Sequence, residues 1–108
     1  MAAIKEKTLF YTFAGGVISL ETIFGWAGKV VWVRSVTIRA HASNSGLITW
    51  NAVGDTPGGY LQAGEAVTKD YGEGQTLLSE LQISGATNDR AYLTLCLDRT
   101  LFDQGVVK

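Results

Sequence analysis

This 108-residue chain has one histidine, His41, and one cysteine, Cys96, and that pair bounds the chemistry it could perform. A hydrolytic triad needs a nucleophile, a base and an orienting acid. His41 stands where a strand pattern ends, on the face opposite Val36 and Ile38 and just before the turn Ser43-Asn44-Ser45-Gly46. A ring in that place is expected to hydrogen-bond the adjacent turn backbone rather than to act as a general base. Cys96 lies inside an alternating apolar strand, where a free thiol behaves as a small hydrophobe. A Cys96–His41 dyad is therefore disfavoured.

Metal and phosphate chemistry fare no better. Zinc wants three or four Cys, His or carboxylate ligands at close spacing. Calcium needs only oxygen ligands, but Asp70, Glu73, Asn88 and Asp89 fall in loops without an Asp-x-Asp-x-Asp-Gly pattern. Gly15-Gly16, Gly58-Gly59 and the Gly72/Gly74 pair precede no helix and carry no Gly-Lys-Ser/Thr, so they read as turns rather than phosphate cradles. No catalytic residue, metal or cofactor is expected, and the chain reads as a non-enzyme. Three tryptophans and four tyrosines leave one further option, stacking on sugars. Trp26 and Tyr60 fall in loops and are the candidates, with Trp26 expected to be exposed or partly covered. Trp32 and Trp50 fall in strands and suit packing or subunit contact.

The elements that must position these residues are short. The length allows one domain. An apolar share of 46% against 18% charged supports one core, with apolar surface left for a partner, most simply other copies. Net charge is −1 with no basic stripe, so nucleic-acid binding has no electrostatic footprint. No apolar run approaches the roughly 20 residues that span a bilayer. Residues 1–7 lack an apolar h-region, which gives the expectation of a cytosolically made protein. With a single cysteine, no intrachain disulfide is available.

Residues 1–7 read as a terminal arm, 8–98 as the domain and 99–108 as a tail. Strand patterns run over Thr8 to Phe13, Val17 to Phe24, Lys29 to Ala42, Leu47 to Trp50, Ala66 to Tyr71 and Arg90 to Asp98. Core faces are expected from Ile18, Leu20, Thr22 and Phe24, from Val36, Ile38 and Ala40, and from Ala91, Leu93, Leu95 and Leu97. Arg34 falls in the apolar phase of its strand, which calls for a bulge near Arg34-Ser35 or for cover on both faces. Thr76 to Ile83 suits a helical turn leading into a short strand. Seven to eight short glycine-punctuated strands without a long amphipathic helix predict a small antiparallel β-sandwich or barrel, jelly-roll-like.

The stretch His41 to Val67 holds the histidine, the only proline and a cluster of glycines. His41, Asn44, Gly46, Pro57, Gly58 and Gly64 are expected to set its turns. Gly46 is read as a positive-φ position, and Pro57-Gly58 as type II turn chemistry. The tip, Asp55 to Tyr60, is the part expected to meet a partner.

Two pieces of this stretch carry a resemblance. Arg39-Ala40-His41-Ala42-Ser43-Asn44-Ser45-Gly46-x-Ile48, and Gly59-Tyr60 running into Leu61-Gln62-Ala63-Gly64-Glu65-Ala66-Val67, resemble small β-sandwich structural proteins of tailed bacteriophages. There an H-x-S-N-S-G-x-I pattern enters a strand and a G-Y-x-L-x-P/A-G-E-x-V pattern leaves the next loop. Leu61 here follows Tyr60 directly, and Ala63 stands where proline is common. The resemblance spans residues 36–68 and matches the Tyr92-Leu93 strand loosely; the first 30 residues carry none of it. It implies a virion structural protein made in the host bacterial cytoplasm. The role implied is a head decoration (cement) protein, a homo-oligomer with a trimer favoured, whose further partner is the phage major capsid protein. The arm residues Ala2, Ala3, Ile4 and Lys5, with Trp26, Trp32 and Tyr60, are the expected contacts. A glycan- or receptor-binding module of a tail or head fibre is the alternative.

Overall fold

The computed structural model describes residues 6–52, 59–72 and 75–97. β1 (Glu6–Thr12) alternates exposed Phe10 and Thr12 with half-buried Leu9 and Tyr11, and Phe13 completes the inward set. β2 (Val17–Ser19) gives way after three residues to one helical turn, α1 (Leu20–Ile23). β3 (Trp32–Ala40) is the longest strand, followed by β4 (Ile48–Ala52), β5 (Gly59–Leu61) and β6 (Ala66–Asp70). The two-residue β7 (Thr76–Leu77), a 3-10 turn (Leu78–Glu80) and β8 (Leu81–Ser84) match the predicted helical turn and strand. β9 (Arg90–Leu97) closes the fold.

The first sheet has the order β1-β9-β3-β6, with β7 also on β3; the second has β2-β8-β4-β5. Every pairing among them is antiparallel. Strands from the first half of the chain alternate between the sheets, and those from the second half return between them. That order is a jelly roll. The core lies between the sheets. Val36, Ile38 and Ala40 face it from β3, Ala91, Leu93, Leu95 and Leu97 from β9, and Ile48, Leu61, Leu81 and Ile83 from the second sheet.

The charged residue in the apolar phase of β3 has a definite cause. Register steps from Val33↔Leu97 to Ser35↔Cys96, so two residues of β3 advance for one of β9. That is a bulge. It lets Val31 and Val33 enter the core on one phase and Val36 and Ile38 on the other. Arg34 is thrown out to solvent, while its carbonyl accepts the Tyr71 N–H at 2.8 Å.

The expected strand through Phe24 is corrected. A strand would carry Thr22 inward beside Leu20 and Phe24; in the helical turn Leu20 and Phe24 are buried and Thr22 is exposed, as i, i+4 spacing requires. The turn ends where Gly25 takes φ 78°. Gly25 N–H donates to the Thr22 carbonyl (3.2 Å) and Trp26 N–H to that of Glu21 (2.8 Å). This is a Schellman motif with glycine in its left-handed position.

Candidate functional site

That motif decides the fate of Trp26. The residue after the Schellman glycine is turned back against the helix, and Trp26 is only 5% exposed, stacked on Phe24 with ring centroids 5.9 Å apart. The Lys7 ammonium lies 5.1 Å from the indole centroid and covers it from β1. The expectation of Trp26 as an exposed contact or sugar platform is therefore overturned: it is a core residue. Trp32 is half-buried at the start of β3, paired with Leu77. Tyr60 is 61% exposed on β5, as its expected role requires. Ala2, Ala3, Ile4 and Lys5 lie outside the described residues, as do Pro57, Gly58 and most of the Asp55–Tyr60 tip. Glu6 and Lys7, placed in the arm by sequence, are strand residues paired with Cys96 and Leu95.

The histidine does what its position predicts. His41 Nδ1 accepts the Ser43 N–H (3.1 Å) and lies 2.7 Å from Ser43 Oγ. Ser43 Oγ in turn accepts from the Arg90 guanidinium at 2.9 Å, so its own hydroxyl proton is free to point at Nδ1. A ring nitrogen that accepts a backbone N–H leaves the proton on the other nitrogen. Cys96 lies at the far end of β9, beside Glu6, so the dyad does not form.

The turn after His41 is stitched to the turn before β9. Asn44 Oδ1 accepts the Arg90 N–H (2.7 Å), and Asn44 Nδ2 donates to the Arg90 carbonyl (2.8 Å). Asp89, only 4% exposed, accepts the Ser45 N–H (2.9 Å) and Ser45 Oγ–H (3.3 Å) on Oδ1, and the Gly46 N–H (2.8 Å) on Oδ2. The Ser45 N–H, joined by the other two donors, holds the Asp89 carboxyl below the usual carboxylate range against the opposing effect of burial. Gly46 is corrected in kind. It is not among the positive-φ glycines; a Cβ there would stand 3.2 Å from Asp89 Oδ2 and 3.3 Å from Ala86 Cβ. The positive φ in this corner belongs to Asn88, at 73°. Gly64, at φ 84°, does turn the chain, with Glu65 N–H on the Gln62 carbonyl at 3.0 Å.

The second feature is the outer face of the first sheet. Register places Thr8, Thr94, Thr37 and Thr68 side by side on β1, β9, β3 and β6. Their hydroxyls meet in pairs, Thr8–Thr94 at 3.0 Å and Thr37–Thr68 at 2.9 Å. One row toward the stitched end lie Phe10, Tyr92, Arg39 and Ala66; one row toward the other end lie Glu6, Cys96, Ser35 and Asp70. Phe10 and Tyr92, 44% and 43% exposed, meet with tilted rings whose centroids are 4.5 Å apart, with Arg90 over the Phe10 ring at 5.8 Å. Sequence reasoning missed this row. Its signal was there, since each threonine sits on the polar phase of its strand, but the register that aligns them comes only from pairing.

Among the described residues no group of three His, Cys, Asp or Glu side chains converges as metal ligands, and no pocket opens. No protein-family model and no curated protein matches the chain. Among solved structures it is similar to an RmlC-like cupin protein from Desulfovibrio desulfuricans, at 13% identity over 89% of this chain and 76% of that one, TM-score 0.49. It is also similar to the Tobacco streak virus coat protein dimer, at 12% identity over 87% of this chain and 86% of that one, TM-score 0.44. The jelly-roll order stands on the chain's own strand pairing.

Proposed function

We propose that this chain is a non-enzymatic structural protein of a bacteriophage virion, a decoration protein that binds the assembled head and bridges its capsid subunits. The observation that carries the reading is where the conspicuous residues go. His41, Asn44, Ser45 and Gly46, the residues of the resembled motif, are all engaged in tying one end of the jelly roll together. What the described fold presents outward is a sheet face carrying the Phe10–Tyr92 pair and, apart from it, the exposed Tyr60. A decoration protein needs such surfaces and no reactive group. Each contact made only with the assembled lattice stabilises that lattice by mass action.

Self-association belongs to this reading; no described contact selects the trimeric order. The glycan-binding alternative keeps Tyr60 but loses Trp26 as its second platform. The test is co-purification with intact heads. A fixed copy number per head, and heads that leak genome at lower temperature without the protein, are expected. Absence from purified particles refutes the proposal.

A further inference from the structure

The outer face of the first sheet has the charge layout of a self-complementary surface. Its middle is the uncharged row Thr8, Thr94, Thr37 and Thr68. Beyond that row lie the acids Glu6 and Asp70 at one end and the bases Arg39 and Arg90 at the other. Charge depletion at the centre, aromatics and arginine beside it, and charges at the margin are the composition of a protein interface.

We propose that the occupant of this face is a second copy of the chain, docked face to face about a two-fold axis lying along the threonine row. The axis follows from the charges. A two-fold along the strands would set acid on acid and base on base. A two-fold along the row reverses the strand direction of the second copy, so each acidic end meets a basic end. Threonine then packs on threonine. Stacked sheets lie about 10 Å apart and neighbouring strands about 4.8 Å. An arginine on β3 therefore reaches the facing β6, which pairs Arg39 of each copy with Asp70 of the other. The face measures roughly 20 Å by 20 Å from the strand spacings. Two such faces bury about 800 Å² in total, below the size of stable specific interfaces, so the dimer is a weak, transient one, strengthened where many copies are held close. The proposal supplies a contact for the self-association invoked above and does not depend on a virion role; particle binding and dimerisation succeed or fail separately.

The test is sedimentation velocity of the full chain from micromolar to millimolar concentration, in low salt. A concentration-dependent dimer is expected, weakened by added salt. Arg39→Glu and Asp70→Arg each face a like charge in the dimer and are expected to weaken it by about tenfold or more. Both positions are exposed, and circular dichroism checks that each variant is folded. Mixing the two variants in equal amounts restores both ion pairs. The introduced glutamate of one copy then faces the introduced arginine of the other, and the retained Asp70 faces the retained Arg39. Recovery of the dimer in the mixture is therefore the decisive result. A wild-type chain that stays monomeric throughout overturns the proposal, whether the face is bare or covered by the chain's own residues 98–108. So does a dimer indifferent to both substitutions.

Discussion

Asn44 hydrogen-bonds both the N–H and the carbonyl of Arg90, at 2.7 and 2.8 Å, with a single amide side chain. It presents β9 with the donor and acceptor that a neighbouring strand would. The Arg90 carbonyl also accepts the His41 N–H at 3.0 Å, so the two groups depend on Asn44 unequally.

Asn44→Ala is expected to strand the Arg90 N–H and leave its carbonyl with one partner. The site is part-buried, and the loss is expected to be about 1–3 kcal/mol. Asn44→Asp keeps the acceptor, removes the donor, and points a charge at the Arg90 carbonyl, so it is expected to be no better than alanine. Urea midpoints at unchanged slope measure both.

Asp89 predicts an acid limb. Its carboxyl titrates lower in the folded protein than in the unfolded chain, first through the Ser45 N–H. Between the two values the unfolded state binds more protons, so stability rises with pH there. The contribution is complete above the ordinary carboxylate value near 3.8 and is lost as pH falls through the lowered folded one. Asp89→Asn is expected to be less stable at neutral pH and to show a flatter acid limb. Melting temperatures taken from neutral to strongly acidic pH decide it; parallel curves for the two proteins would exclude this origin.

Trp26 and Tyr60 are expected to separate cleanly. Trp26→Ala removes a core indole at an expected cost of about 3–5 kcal/mol, with Trp26→Phe costing less. Tyr60→Ala is expected to stay within about 0.5 kcal/mol. Denaturation of the three variants reads out which aromatic is structural.

Close approach, rather than backbone conformation, is expected to rank the glycines. A Cβ at Gly85 would lie 2.8 Å from Ile48 Cδ1 and 2.9 Å from the Phe13 ring, whereas at Gly46 the nearest atom is 3.2 Å away. Gly85→Ala is expected to cost about 1–3 kcal/mol by overpacking, and Gly46→Ala less. Equal midpoints for the two variants would contradict this.

Much of the fold was legible because strand period and burial agree. The inward sets of β3 and β9 follow from alternation alone, and the phase break at Arg34 called for a bulge or for cover on both faces, of which strand pairing shows the bulge. The turn at Leu20 was not legible by the same rule, because residues 20 and 24 share a face in a strand and in a helix alike. Gly25 was the cue, and reading it as the left-handed end of a helix would have buried Trp26. Asp89 read only as a loop acid without metal-ligand spacing, because its donors, Ser45 and Gly46, are more than 40 residues away in sequence. Such pairings appear only once β3 and β9 lie side by side.

The place of β9 has a consequence for how the chain comes to be folded. It is the last described strand to be synthesised, yet it sits between β1 and β3. Until it arrives, β1 has no neighbour among the described strands of the sheet, and the Thr8–Thr94 pairing spans 86 residues. Contacts of such long sequence separation make folding slow, in the range of milliseconds to seconds. A chain emerging from the ribosome would hold its first strand unpaired until Leu97 had cleared the exit. The first sheet would then form in one late step rather than strand by strand. Stalled chains ending before residue 90 are expected to stay protease-sensitive in β1, and full-length chains to become resistant there and in β3 together.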